Sequence, residues 1–348
     1  MLDRKQKTGI GIAAAILAAL AFYFFYWVRT PVYSLNLARE AAQKHDADQF
    51  EMYVDLDSVL PGVFDDTLAA YEEISGQKLS DNALAAGVVQ LVKPQVVSAM
   101  KEGVEKLIEG EKPEEDAKKS GQASEAQQMA TGMSKTILKK GLQVKDISTV
   151  SRKDGNAVVA VKVHDGKIDG DYEFHLKMKQ MESGKWKVKK ISNLKETVLT
   201  IDRLTKAKLA ELNEPIREKI KAAAEIQDAR AVDRRGDNPF FTEYWIQYRL
   251  HVQNHSGQDI RRLAVRFVLK DRNGRQLREK DARFAGIPAG KTRAMSYKDE
   301  LNPFIPEEKA LQGRGSRQQL QAEITAVELA DGTKTALLKE IPEDADSQ

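Results

Sequence analysis

The rhythm of apolar and polar positions changes several times along this chain. Residues 8–28 carry no charge at all. From Ser34 apolar residues recur at helical spacing, as Leu35, Ala38, Ala41 and Ala42, and a second short segment carries Phe50, Tyr53 and Val54. Pro61-Gly62 predicts a break before a helix over 64–74. Ser80 and Asp81 open a longer helix through Val88, Leu91, Val96, Met100, Val104 and Leu107, with a kink at Pro94. Residues 109–128 turn to Glu, Lys, Ser, Gly and Gln, a composition that predicts a mobile connector. From Leu142 the period drops to two. Runs at 144–150, 157–163, 172–178 and 186–191 predict strands, punctuated by Asp154-Gly155-Asn156, Asp165-Gly166 and Ser183-Gly184. Helices followed by such a meander predict one α+β layer pair.

A second helical stretch follows. Leu209, Leu212, Ile216, Ile220 and Ala223 form one apolar face, with a restart at Pro215 and a stop at Gly236 and Pro239. It predicts a spacer rather than a partner-binding coiled coil. From Phe240 the chain alternates strictly, first at Tyr244, Ile246, Tyr248, Leu250 and Val252, then at Leu263, Val265, Phe267 and Leu269. Later runs at 292–297, 320–329 and 335–338 complete a predicted sandwich of six or seven strands.

The uncharged stretch at 8–28 is 21 residues long and ends in Phe22, Tyr23, Phe24, Phe25, Tyr26 and Trp27. As a helix it would match the hydrocarbon thickness of a bilayer, with its aromatic end at the headgroup boundary. Arg4, Lys5 and Lys7 precede it and Arg29 follows, which predicts a cytoplasmic N-terminus and extracytoplasmic remainder. Signal-peptide cleavage at Ala19-Leu20-Ala21 is the competing expectation. It would leave a mature chain starting on six aromatic residues. There is no cysteine, so disulfides, thiolate catalysis, cysteine metal sites and a lipidated cysteine anchor are all excluded. Net charge is +3 from 55 basic and 52 acidic residues, which gives no global attraction to nucleic acid.

Two resemblances add to this. Tyr33-Ser34-Leu35, Ala41-Ala42, Asp46-Ala47-Asp48 and Phe50-x-x-Tyr53-Val54-Asp55 resemble the start of an uncharacterised bacterial membrane-anchored domain family. The run Gly184-Lys185-Trp186-Lys187-Val188 with Ile191 is similar to the last strand of cone-shaped α+β domains of the nuclear-transport-factor type. Together they cover residues 33–195 and imply a fold but no activity. The turns at Asn254-x-Ser256-Gly257, Asp271-Arg272-Asn273-Gly274 and Ile287-Pro288-Ala289-Gly290 resemble those of small bacterial immunoglobulin-like envelope domains, over about 243–340. The expected fold class is therefore multidomain. A cytoplasmic tip and transmembrane anchor occupy 1–29 and an α+β cone-like domain 30–200. A helical spacer takes 201–238, an all-β immunoglobulin-like sandwich 239–342, and a tail 343–348.

Candidate chemistry is sparse. Ala285-Gly286-Ile287-Pro288-Ala289-Gly290-Lys291-Thr292 fits a loose phosphate-loop pattern, but a strand-like run follows it where nucleotide binding needs a helix. Asp46/Asp48, Asp55/Asp57, Asp65/Asp66 and Asp165…Asp169-Gly170-Asp171 offer oxygen ligands for calcium without the spaced loop and distal Glu. The histidines His45, His164, His175, His251 and His255 form no metal or nucleophile motif. Tyr53 and Asp55 would lie at the wall of a cone pocket as a proton-transfer pair. The internal Lys298-Asp299-Glu300-Leu301 is not at the C-terminus and is no retention address. The expectation is a non-enzymatic binding or scaffold protein of the bacterial cell envelope, with no catalytic, cofactor-binding or metal-ligating residue. Expected partners are the membrane, through a single N-terminal span, and an envelope protein or small ligand, but not nucleic acid. The alternatives are a carrier or sensor with an apolar pocket in the α+β domain, and a cone-fold enzyme.

Overall fold

The computed structural model describes residues 27–76, 83–110, 142–237 and 242–342. The chain divides into two compact units, one ending at Thr205 and the other running from Lys206 to Pro342. Among the described residues there are six α-helices and eleven strands in three antiparallel sheets.

The first unit begins with a 3-10 turn, Trp27–Arg29. Helices α1 (Pro31–Gln43) and α2 (Ala47–Glu51) follow, then α3 (Leu56–Ser75) and α4 (Ala83–Ile108). Each of the first three has a side-chain N-cap, Thr30, Asp46 and Asp55, that accepts from the backbone N–H three residues on. Strands β1 (Leu142–Lys153), β2 (Asn156–Asp165), β3 (Gly170–Gln180) and β4 (Trp186–Ile191) form a sheet in sequence order. Its core joins Leu56, Val59, Leu60, Val63 and Phe64 of α3 to Val96 and Met100 of α4 and to the inner faces of β2, β3 and β4.

The two stretches that carry the first resemblance meet here. Val54 bridges Val188 in parallel: the Asp55 N–H donates to the Val188 carbonyl (3.0 Å) and the Val188 N–H to the Tyr53 carbonyl (2.8 Å). Trp186 is fully buried. Its indole N–H donates to the Arg29 carbonyl (2.8 Å) and its backbone N–H to Ser34 Oγ (3.0 Å).

Helix α5 (Leu194–Ala223) carries the chain past Thr205 into the second unit. There β5 (Ala224–Asp237), β6 (Thr242–Asn254) and β9 (Thr292–Glu300) form a sheet in the order β5-β6-β9. Strands β7 (Ile260–Lys270), β8 (Gln276–Ile287), β10 (Gln319–Leu329) and β11 (Lys334–Ala336) form a second, in the order β11-β10-β7-β8. A short helix, α6 (Pro306–Leu311), lies between β9 and β10. Ile246, Tyr248, Leu250 and Val252 of one sheet share a core with Leu263, Val265, Phe267 and Leu269 of the other, and Tyr248 stacks on Phe267 at 4.8 Å between ring centroids.

One buried ionic contact ties the two sheets. Arg278 of β8 forks onto Asp299 of β9, with Nη2 donating to Oδ1 at 2.7 Å, and its Nη1 reaches Glu308 at 2.8 Å. Asp299 is 3% exposed and also accepts from the Tyr248 hydroxyl (3.3 Å). Burial disfavours the Arg278 charge, but its bonds to Asp299 and Glu308 outweigh this and raise its pKa. Burial, then the Asp299 charge, pushes the Tyr248 phenol up.

Several expectations are corrected. No helix among the described residues is long and apolar enough to cross a membrane, so the fold class with an N-terminal transmembrane helix is not supported. Residues 8–26 of the expected span lie outside the described residues, and its last two, Trp27 and Val28, belong to the 3-10 turn. The α4 and α5 helices have the length, at 26 and 30 residues, but charged residues interrupt both. The spacer expected at 201–238 is helical only to Ala223. From Ala224 the chain is strand β5, because thirteen residue pairs with β6 supply its hydrogen bonds. Pro61 and Pro215 break nothing: both lie inside helices, α3 and α5. The buried stripe around Pro61 and the packing of Ile216 and Ile220 offset the lost backbone bond. The connector expected at 109–128 falls, after Gly110, outside the described residues, as does the tail at 343–348.

Replacing Asp299→Ala removes the fork from a buried guanidinium and leaves it Glu308 and the Glu300 carbonyl alone. It should destabilise the second unit by about 3–5 kcal/mol, read by denaturant unfolding of the full chain. A loss of less than about 1 kcal/mol would show that the fork is not what holds β8 to β9.

Candidate functional site

The expected site residues do not converge in the first unit. The Tyr53 ring is buried, and its hydroxyl accepts from Lys185 Nζ at 3.2 Å, with that ammonium 5.4 Å from the ring centroid. Asp55 is taken up by Lys189 and by the Ser58 N–H and hydroxyl. The Lys189 contact, opposed by burial and aided by Ser58, holds its carboxyl down at about 2. An acid that strong is ionised at neutral pH and makes a poor proton donor.

The loop aspartates separate as well. Asp165 is buried and accepts from the Lys167 N–H (3.0 Å), while Asp171 pairs with His164 at 2.7 Å. Burial and the neighbouring Asp165 push the Tyr172 phenol up to about 12. Among the described residues no group of three or more His, Asp or Glu could hold a metal. Four histidines pair with carboxylates on strands or turns: His164 with Asp171, His175 with Glu173, His251 with Asp228 and His255 with Glu225. His45 contacts the Ile108 carbonyl at 2.7 Å.

The phosphate-loop lookalike is strand, turn, strand. Ile287 ends β8, Gly290 turns at φ +65°, and Thr292 starts β9. The Lys291 N–H closes the turn onto the Pro288 carbonyl, and the Lys291 side chain is exposed.

The cavity that stands out lies in the second unit, on the outer face of the sheet β11-β10-β7-β8, and has a volume of about 760 Å³. Strict alternation on β7 sends Leu263, Val265 and Phe267 into the core, which leaves Arg262, Ala264 and Arg266 outside. A bulge between Ile324 and Ala326 resets β10. Ile324 faces inward opposite Val265, yet Ala326 lies outward opposite Ala264.

Cross-strand pairing then builds three rows across the sheet. The central row runs Ala336, Ala326, Ala264 and Arg283 from β11 to β8. One flanking row is Lys334, Glu328 and Arg262; the other is Glu323, Arg266 and Asp281. Three alanines leave a trough, roughly 10 Å long over two strand spacings, between charged walls.

Helix α5 closes one side. Leu209 and Ala210 line the cavity. Buried Asn213 mimics a strand edge: its amide donates to the Leu338 carbonyl (3.1 Å) and accepts from the Leu338 N–H (2.7 Å). Arg217 bonds Glu323 at 2.9 Å. The helical stripe therefore splits its duties, with Ile216, Ile220 and Ala223 in the core and Leu209 at the cleft.

Seven cationic and three acidic side chains line the cavity, so pairing leaves positive charge over. Each carboxylate already has a partner: Glu328 takes Arg262 (3.6 Å), Asp281 takes Arg266 (3.2 Å), and Glu323 takes Arg217. Arg283 and Lys334 are exposed and form no ion pair among the described residues.

The sequence reading missed this site. Arg262-x-Ala264-x-Arg266 was visible as a small residue between two arginines on one strand face. Its partners on β10 were not, because the bulge shifts the alternation.

No protein-family model matches the chain, and no curated protein matches it.

Two outcomes follow. Lys291→Ala should change stability by within about 0.5 kcal/mol, and millimolar ATP or GTP should leave the melting temperature of the full chain unmoved. Nucleotide bound at about 100 times its Kd would instead stabilise by about 2.7 kcal/mol. For Asp55 the folded pKa lies below the unfolded one, so its contribution is present above about pH 4 and disappears as pH falls toward 2. The stability gap between the wild type and Asp55→Asn, measured by urea unfolding, should shrink over that window. A gap that is constant from neutral pH down to about pH 2 would refute the Lys189 pairing.

Proposed function

We propose that this chain is a non-catalytic binding protein whose ligand lies in the alanine-floored cleft of the second unit. The observation that carries the reading is the central row Ala336–Ala326–Ala264. Three small residues on three adjacent strands keep an outward sheet face open beside a helix that could have covered it. A volume of about 760 Å³ falls in the range of small-molecule sites. The walls are charged and the floor apolar, which supplies both orientation and burial to a guest. The Tyr53 and Asp55 pairings described above support binding over catalysis. The first unit serves in this reading as a supporting module.

The cavity that supports this reading belongs to the second unit, whereas the carrier reading expects an apolar pocket in the α+β domain.

The test fills the trough. Ala326→Phe projects a ring over the floor and away from the core. It should leave the melting temperature of the full chain within a few degrees of wild type. A calorimetric screen of small amphiphiles with anionic, neutral and cationic heads should find at least one saturable ligand that this variant loses. If none of the three classes binds, or if Ala326→Phe binds as well as wild type, the cleft is not the site.

A further inference from the structure

The distribution of charge around the trough is uneven, and the unevenness points to one kind of guest. On the wall formed by Glu323, Arg266 and Asp281, charges balance once Glu279 is included: Arg217 takes Glu323, Arg266 takes Asp281 and Glu279, and Lys339 reaches Asp281. The opposite wall does not balance. Its one carboxylate, Glu328, stands between Arg261 and Arg262, at 3.9 and 3.6 Å, with Lys334 opposite on β11. The end of the alanine row adds Arg283, which has no carboxylate partner among the described residues.

Register makes Arg262 and Arg283 diagonal neighbours, since Arg262 faces Ala285 and Ala264 faces Arg283. Such a pair sits about 7–8 Å apart, within reach of a single head group. Arg262 is held only at one edge by Glu328, and its side chain is 73% exposed, so its remaining donors face solvent. Two guanidiniums with donors to spare form a fork for an oxoanion, carboxylate or phosphate. Beyond the fork the floor of the trough is the methyl groups of Ala264, Ala326 and Ala336, with Leu209 beside them. A guest that fills both parts has an anionic head at one end and an apolar body of roughly 10 Å, the span of two strand spacings.

We propose that the cleft binds a single-headed organic anion with an extended apolar tail, its head between Arg262 and Arg283 and its tail over Ala264, Ala326 and Ala336. This rests on the cleft being the ligand site and names the ligand's class. An acidic peptide fits less well, because it would place its repeated charges over the alanine floor.

The experiment titrates the full-length chain with decanoate and decyl phosphate by calorimetry, below micelle formation. Decyl maltoside, decyltrimethylammonium, butanoate and a poly-glutamate peptide serve as comparisons. One decanoate or decyl phosphate should bind per chain, more weakly as salt rises, with a preference between them naming the head. Arg283→Ala should weaken binding by about tenfold or more, as expected for losing a charge-assisted bond, and Arg283→Lys should fall between. Butanoate should bind far more weakly. Equal binding of the maltoside that Ala326→Phe abolishes would overturn the anion assignment while leaving the cleft as a site. Tighter binding of the peptide, or anion binding indifferent to Arg283→Ala, would overturn it too. Absence of any binding by the whole set would sink the cleft reading along with it.

Discussion

The fork of Arg278 onto the buried carboxylate of Asp299 constrains the rest of the second unit. It draws an arginine inward from β8, a strand at the edge of its sheet, and holds it against β9 of the other sheet. Because side chains alternate along a strand, that one inward residue decides the facing of its neighbours. Lys280, Ala282 and Phe284 follow Arg278 to the inner side, opposite Phe267, Val265 and Leu263. Glu279, Asp281 and Arg283 are left outside. A slip of one residue would send Arg283 into the core and remove the end of the trough. The outward position of Arg283 is thus a consequence of a different arginine's ion pair.

The cleft also depends on imperfect regularity. If β10 were an unbroken strand, either Ile324 or Ala326 would be on the wrong face. The extra residue at Thr325 lets both be right. Helix α5 reaches its place by a similar local device. Pro215 removes a backbone donor from the helix, and Asn213, two residues earlier, turns its amide outward to a neighbouring chain segment. These features cost regular hydrogen bonds, and they shape the open face of this sheet.

The first unit is organised around Trp186 in a comparable way. Trp186 receives the incoming chain twice, at Arg29 through its indole and at Ser34 through its backbone N–H, and the nearby Val188 receives it again at Tyr53 and Asp55. Polar residues that seemed candidates for chemistry are consumed by this closure. Asp55 caps a helix and meets Lys189, and Tyr53 meets Lys185. The low pKa of Asp55 follows from this structural pairing, with no catalytic role required.

Much of this was open to reading from residues alone. Alternation at Tyr244–Val252 and Leu263–Leu269, and the turn residues between the runs, mark strands because a pleated backbone sends successive side chains to opposite faces. Cysteine content excludes whole classes of chemistry. The apolar stretch at 8–28 is plain in the sequence, but the described helices include none that could span a bilayer. What sequence could not supply was pairing between distant segments. Ala264, Ala326 and Ala336 are ordinary residues until register aligns them, and register there turns on a bulge. Strand β5 looked like the tail of a helix, since β6, which completes its hydrogen bonds, comes after it in the chain. Local periodicity belongs to neighbouring residues and can be read directly; a site assembled across four strands and a helix exists only once they are packed.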